Sequence, residues 1–170
     1  SEGRSVSKLR RLGELHLAQA RSRAFELVMS ASTVIPEEWK PNIVEQTTMS
    51  LLEFGYHARR VNDICGIANE LFPAVNRYLV QFSVPPTVSS VTEYKHALNY
   101  LHHASDFVFG FAHADYRKIF LASAANLQPT YVTVTSDKYQ AGVMSLFGVA
   151  DCFLSGAIPL VKKKFPDWNF

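Results

Sequence analysis

The sequence holds only two cysteines, Cys65 and Cys152, far apart and each set in an apolar helical pattern. That excludes a disulfide framework and fits two free thiols packed as small hydrophobes in a reducing compartment. Long hydrophobic runs are also missing. The longest candidate, 142–161, is broken by Gly148, Asp151, Gly156 and Pro159, and a membrane span needs roughly 20 uninterrupted apolar residues. The opening residues lack the basic and apolar regions of a signal peptide. A cytoplasmic location without a membrane partner is therefore expected. Charge of one sign is scarce: the formal net charge is +2, too small to identify a partner. No GxGxxG, P-loop, GxSxG, HExxH or CxxC pattern occurs. Their absence removes the commonest nucleotide-binding and hydrolase readings, and no cofactor is expected.

What is present is the composition of a packed domain. The 170 residues are 48% apolar and 12% aromatic, enough for one domain over 1–170 with a flexible lead-in at 1–6. Helical periodicity dominates. A first helix is expected over 7–30, capped by Ser7, with Leu9, Leu12, Leu15, Ala18, Phe25 and Val28 as its apolar stripe. Its first part carries Arg4, Lys8, Arg10, Arg11, Arg21 and Arg23 against Glu2 and Glu14. That basic end reads either as a solvated helix face or as a contact surface for phosphate backbones. Pro36 and Pro41 bracket a linker. A second helix is expected over 42–71, with Leu51, Phe54, Ala58, Val61, Cys65, Ala68 and Phe72 spaced three and four apart. A short helix and a turn should follow, ended by Pro85 and Pro86.

A third helix is expected over 92–108, capped by Thr92. There Tyr94, Ala97, Leu98, Leu101, Ala104 and Val108 fall on one arc, and Lys95, His96, Asn99, His102, His103 and Asp106 on the other. Residues 131–135, Tyr-Val-Thr-Val-Thr, alternate and are β-branched, which predicts a strand. The stretch 120–127 is ambiguous between helix and strand. Ser136 or Asp137 should cap a last helix over 138–161, followed by three lysines that suit a helix C-terminus. The expected fold is mainly α: a four- to five-helix antiparallel bundle with a small β-hairpin or flap near 120–136.

The chemistry-bearing feature is histidine. Four of the six, His96, His102, His103 and His113, lie within eighteen residues, with Asp106 and Asp115 nearby. A metal site is one reading, since imidazole and carboxylate suit zinc, iron or manganese. A solvated polar face is another. Proton transfer in RNA cleavage is the third, because the reference pKa of histidine lies near working pH.

The stretch Leu98-Asn99-Tyr100-Leu101-His102-His103-Ala104 resembles the N-x-x-x-H-A turn of HEPN-type helical domains. Those domains occur in toxin, abortive-infection and phage-defence proteins. The resemblance spans about eighty residues from Ser89 onward. It implies a homodimer with its site where two protomers meet, RNA as partner, and a metal-independent ribonuclease activity or a degenerate relative of one. It implies His103 as the proton-transfer residue and Asn99 as its neighbour one turn before. Active members carry Arg immediately before the polar residue, where Leu98 stands here, so Lys95 or Arg60 (or Arg59) is expected to supply the charge. The alternative function is a non-enzymatic helical module that dimerises or binds a protein partner.

Overall fold

The computed structural model describes residues 2–78, 87–114 and 125–170. Expectations for the turn before Pro85 and Pro86, for Asp115 and for most of 120–127 lie outside these residues. Two long helices dominate, α1 (Glu2–Ser32) and α2 (Lys40–Cys65), packed side by side and antiparallel. Between them the short strand β1 (Ile35–Pro36) and a 3₁₀ turn (Glu37–Trp39) reverse the chain. Pro41 sits in the first turn of α2, where its missing N–H costs nothing. α2 ends at Gly66, which takes the left-handed conformation at φ +64°. That is six residues before the expected end, because a left-handed residue cannot continue the helix. Lys164 Nζ then donates to the carbonyls of Cys65 and Gly66 at 3.1 Å, placing a cation on the negative end of α2.

The remaining elements are β2 (Ser89–Ser90), α3 (Tyr94–His102), β3 (Ala104–His113), β4 (Asn126–Ser136), β5 (Gly142–Ser145), α4 (Leu146–Asp151) and α5 (Ile158–Lys164). A π-helical stretch (Cys152–Ala157) joins α4 to α5 just ahead of Pro159, which cannot donate to the ladder. The five strands form one mixed sheet around β4. It pairs antiparallel with β3, and also with β1 and β5, while β2 runs parallel to β5. The chain is thus mainly helical with a small mixed sheet.

Several local expectations are corrected. The third helix stops at His102, and residues 104–113 form a strand paired with 127–136. The aromatic run Phe107, Phe109 and Phe111 suits a pleated surface, and that pairing overrides the helical period. Val108, expected in the core, is 57% exposed. The antiparallel pairing thus joins 104–113 to 126–136 in place of a flap confined to 120–136. The last helix begins at Leu146, since 142–145 is the strand β5. Its cap is Ser145, whose hydroxyl accepts from the Gly148 N–H at 2.9 Å, in place of Ser136 or Asp137. Ser7 is no cap, because α1 runs through it, and α3 starts after Glu93 rather than at Thr92.

The α1 stripe is also reassigned. Leu17, Ala20, Ala24, Leu27 and Ala31 are buried, whereas Leu9, Leu12, Leu15, Ala18 and Phe25 are exposed. Both faces of α1 are apolar, and the one rich in alanine is the one that lets α2 and α4 approach closely. The α2 stripe holds as expected through Cys65, and Val61 and Leu101 are both buried, with Gly55 leaving room for the Leu101 side chain. Phe54 meets Phe153 edge to face at 5.7 Å in the centre. Gly148 lies against the Val75 carbonyl, so no side chain fits there. Residues 165–170 fold back onto α1: Trp168 covers Gly13, the Asp167 carbonyl accepts from Arg10, and Glu14 accepts from the Asn169 N–H at 3.1 Å. No helix among the described residues is long and apolar enough to cross a membrane.

Candidate functional site at the α3 corner

α3 buries Tyr94, Ala97, Leu98 and Leu101 against the body. That leaves Lys95, His96, Asn99, His102 and His103 turned outward. His103 closes the helix, its backbone N–H donating to the Asn99 carbonyl at 3.1 Å. The β4–β5 turn, residues 137–141, is laid against this end. Tyr139 sits 5.3 Å from the Tyr100 ring and 6.1 Å from the His103 ring, and Tyr100 Oη donates to the Gln140 carbonyl at 2.6 Å. Gly142 makes the approach possible, since a Cβ there would lie 2.7 Å from the Tyr100 ring. The result is a cleft of about 270 Å³ lined by His96, Asn99, Tyr100 and Tyr139.

Positive groups gather beside it. The rings of His102 and His103 stand edge to face at 4.7 Å. Burial, then the charges of Arg59, His103 and Lys138, hold the His102 pKa below the ordinary histidine value. Arg59 reaches this place from α2. Its Nη1 is buried and has no hydrogen-bond partner among the described residues. Burial and the neighbouring Tyr139 raise the Tyr100 pKa, so its phenol stays protonated and donates.

The structure thus places Asn99 and His103 at one corner and sends the other two expected residues elsewhere. Lys95 Nζ donates to Asn69 Oδ1 at 3.1 Å and lines a separate cleft of about 450 Å³ with Glu70 and Phe72. Arg60 lies toward His16 in the α1–α2 seam. Leu98, where the HEPN pattern has Arg, is 2% exposed and part of the core. An arginine there would be buried, not presented to a substrate. Asp106 and Phe107 belong to β3. Sequence reasoning passed over Tyr139 and Lys138, which lie in a polar turn with no motif of its own. Among the described residues no three His, Cys, Asp or Glu side chains gather as metal ligands.

A second histidine pair lies in the α1–α2 seam. His16 Nδ1 and His57 Nδ1 are 2.9 Å apart, one donating and the other accepting, with the Tyr56 ring against both. Both pKa values are lowered, chiefly by burial. Beside them Arg23 bridges Glu26 at 2.7 Å and Glu53 at 3.0 Å, and Ser50 donates to Glu26 at 2.6 Å. The two imidazoles satisfy one another at Nδ1, while Arg23 Nε is held beside the Glu53 carboxylate by charge without a hydrogen bond. No family model matches the chain, and no curated protein or solved structure matches it either.

Proposed function

We propose that the α3 corner binds the phosphate backbone of single-stranded RNA and cleaves it without a metal, in a protein of the HEPN-like toxin or phage-defence type. The observation that carries this reading is Arg59 Nη1, buried beside His102 without an acceptor. Such an unmade hydrogen bond costs about 1–3 kcal/mol, which an anionic oxygen would recover. Lys138 adds a second cation, and the Tyr139 face offers a surface on which a base stacks.

The proton chemistry follows from the paired imidazoles. His102 is held toward its neutral form, fit to take the 2′-hydroxyl proton. The 2′-oxygen attacks phosphorus, the bond to the 5′-oxygen breaks, and that oxygen takes a proton from the His103 side chain. The products are a 2′,3′-cyclic phosphate and a 5′-hydroxyl. Arg59 and Lys138 offset the charge that builds on phosphorus, with Asn99 alongside.

The test is a gel assay of single-stranded RNA with chelator present. The parent should cleave, and His103→Ala should abolish cleavage with helix content unchanged. Cleavage that survives His103→Ala points to a contaminant. Cleavage lost only with chelator points to a metal site. A second reading, a non-enzymatic dimerisation or protein-interaction module, is favoured by a different observation: large apolar side chains stand exposed along α1 and α2.

A further inference from the structure

The outward face of α1 carries a row with the spacing of a coiled-coil seam: Leu15, Ala18, Ser22, Phe25 and Met29, separated by three, four, three and four residues. All five are exposed. α2 carries a matching outward row, Met49, Leu52 and Tyr56. This face is distinct from the buried stripes, so each helix is apolar on two sides. Spacing of three and four presents one straight ridge, which fits another helix and not a flat or irregular surface. The six large side chains, each between 46% and 60% exposed, put on the order of 600 Å² of surface into two rows that flank the Arg23–Glu53 bridge.

The geometry points to a second copy of this chain as the occupant, docked antiparallel through a two-fold axis at Ser22. This deepens the interaction reading and does not depend on RNA. Three observations select a copy over another partner. First, the α1 row is complementary to its own reverse. About Ser22, Leu15 meets Met29 of the second copy, Ala18 meets Phe25, and the small Ser22 meets itself, so large faces small at the centre. Second, the same axis suits α2. The Arg23–Glu53 bridge at 3.0 Å fixes which residues share a level, and it puts Ser22 level with the midpoint between Leu52 and Tyr56. A two-fold there sets Leu52 against Tyr56 of the copy. An isologous contact requires both helices to be centred on one axis, and they are. Third, charge agrees. The row continues toward the N-terminus as Arg11 and Lys8, both exposed. The axis carries them to the level where the copy's acidic turn, Glu37 and Glu38, begins α2. Two such faces pressed together bury on the order of 1,200 Å², the lower bound of a specific interface.

The test is light scattering on the intact chain together with cysteine locking. At about 50 µM, a concentration that populates a dimer of micromolar Kd, the mass should be twice 19.1 kDa. Phe25→Asp should weaken association at least tenfold with an unchanged circular dichroism spectrum. Ser22→Cys should form a disulfide-linked dimer on mild oxidation, because each copy meets itself there, whereas Ser155→Cys, also at an exposed position, should not. The native Cys65 and Cys152 are buried and stay out of the reaction. A dimer that Phe25→Asp leaves intact and Ser22→Cys fails to lock overturns this interface while keeping a dimerising module. A monomer overturns both.

Discussion

The molecule contains two pairs of touching histidines, and they are opposites. His16 and His57 come from different helices, 41 residues apart, and spend a ring nitrogen each on one another. His102 and His103 are neighbours in sequence and meet ring edge to ring face, and His102 stands beside an arginine with an unmade bond. Residue type is the same in both. What separates a structural pair from a candidate working pair is whether the polar atoms are already satisfied. The seam histidines have spent their Nδ1 atoms on one another, whereas Arg59 Nη1 beside His102 is left for a ligand.

The largest effect should come from crossing the boundary between the two sides of α3. Leu98→Arg is expected to destabilise the fold by about 3 kcal/mol or more, because it buries a charge without a partner. A denaturant titration measures it, and an arginine tolerated without loss would show that this side of α3 is not core. Next, Arg59→Ala should lower RNA cleavage on the order of a hundredfold, the scale seen when one charge-stabilising donor is removed. It should also reduce the salt slope of RNA binding by about one. His102→Ala should cut cleavage with little change in melting temperature.

The seam pair should respond in the reverse sense. His16→Ala strands the His57 nitrogen and is expected to cost about 1–3 kcal/mol of stability, without affecting RNA. The acid limb gives the smallest signal, and His102, whose pKa is also lowered by burial, adds to it with the same sign. Both seam histidines have folded pKa values below the unfolded one, so the unfolded chain binds more protons. Their contribution is complete above the ordinary histidine value and is lost as pH falls through the folded values. Melting temperature should therefore drop between pH 7 and pH 5, and His16→Gln should flatten that slope. An unchanged slope would remove the distinction between the pairs.

Much of this was legible in the sequence, for definable reasons. The α2 stripe was readable because only one of its faces holds a long unbroken apolar series. α1 misled because its exposed row has the larger side chains, while the buried one is alanine-rich and scores as less hydrophobic. Residues 104–108 fitted a helical arc, but pairing with β4 decides their conformation, and that partner is distant in the chain. His102, His103 and Asn99 were visible as a cluster because adjacency in sequence is adjacency on a helix. Arg59 was named only as an alternative to Arg60, and Lys138 and the His16–His57 bond were hidden, since tertiary packing alone brings each into place.

The fold-back of residues 165–170 onto α1 has a consequence for the order in which the molecule assembles. Glu14 is joined to Asn169 across 155 residues, and closing so long a loop costs about 4–5 kcal/mol of chain entropy. Such a contact forms late, after the hairpin of α1 and α2 and the sheet have shortened the path between its ends. Until then Gly13 is a bare notch in the longest helix. The first turns of the chain are thus the last to acquire their native surroundings, and the tail acts as the closing stitch of a fold begun in the middle.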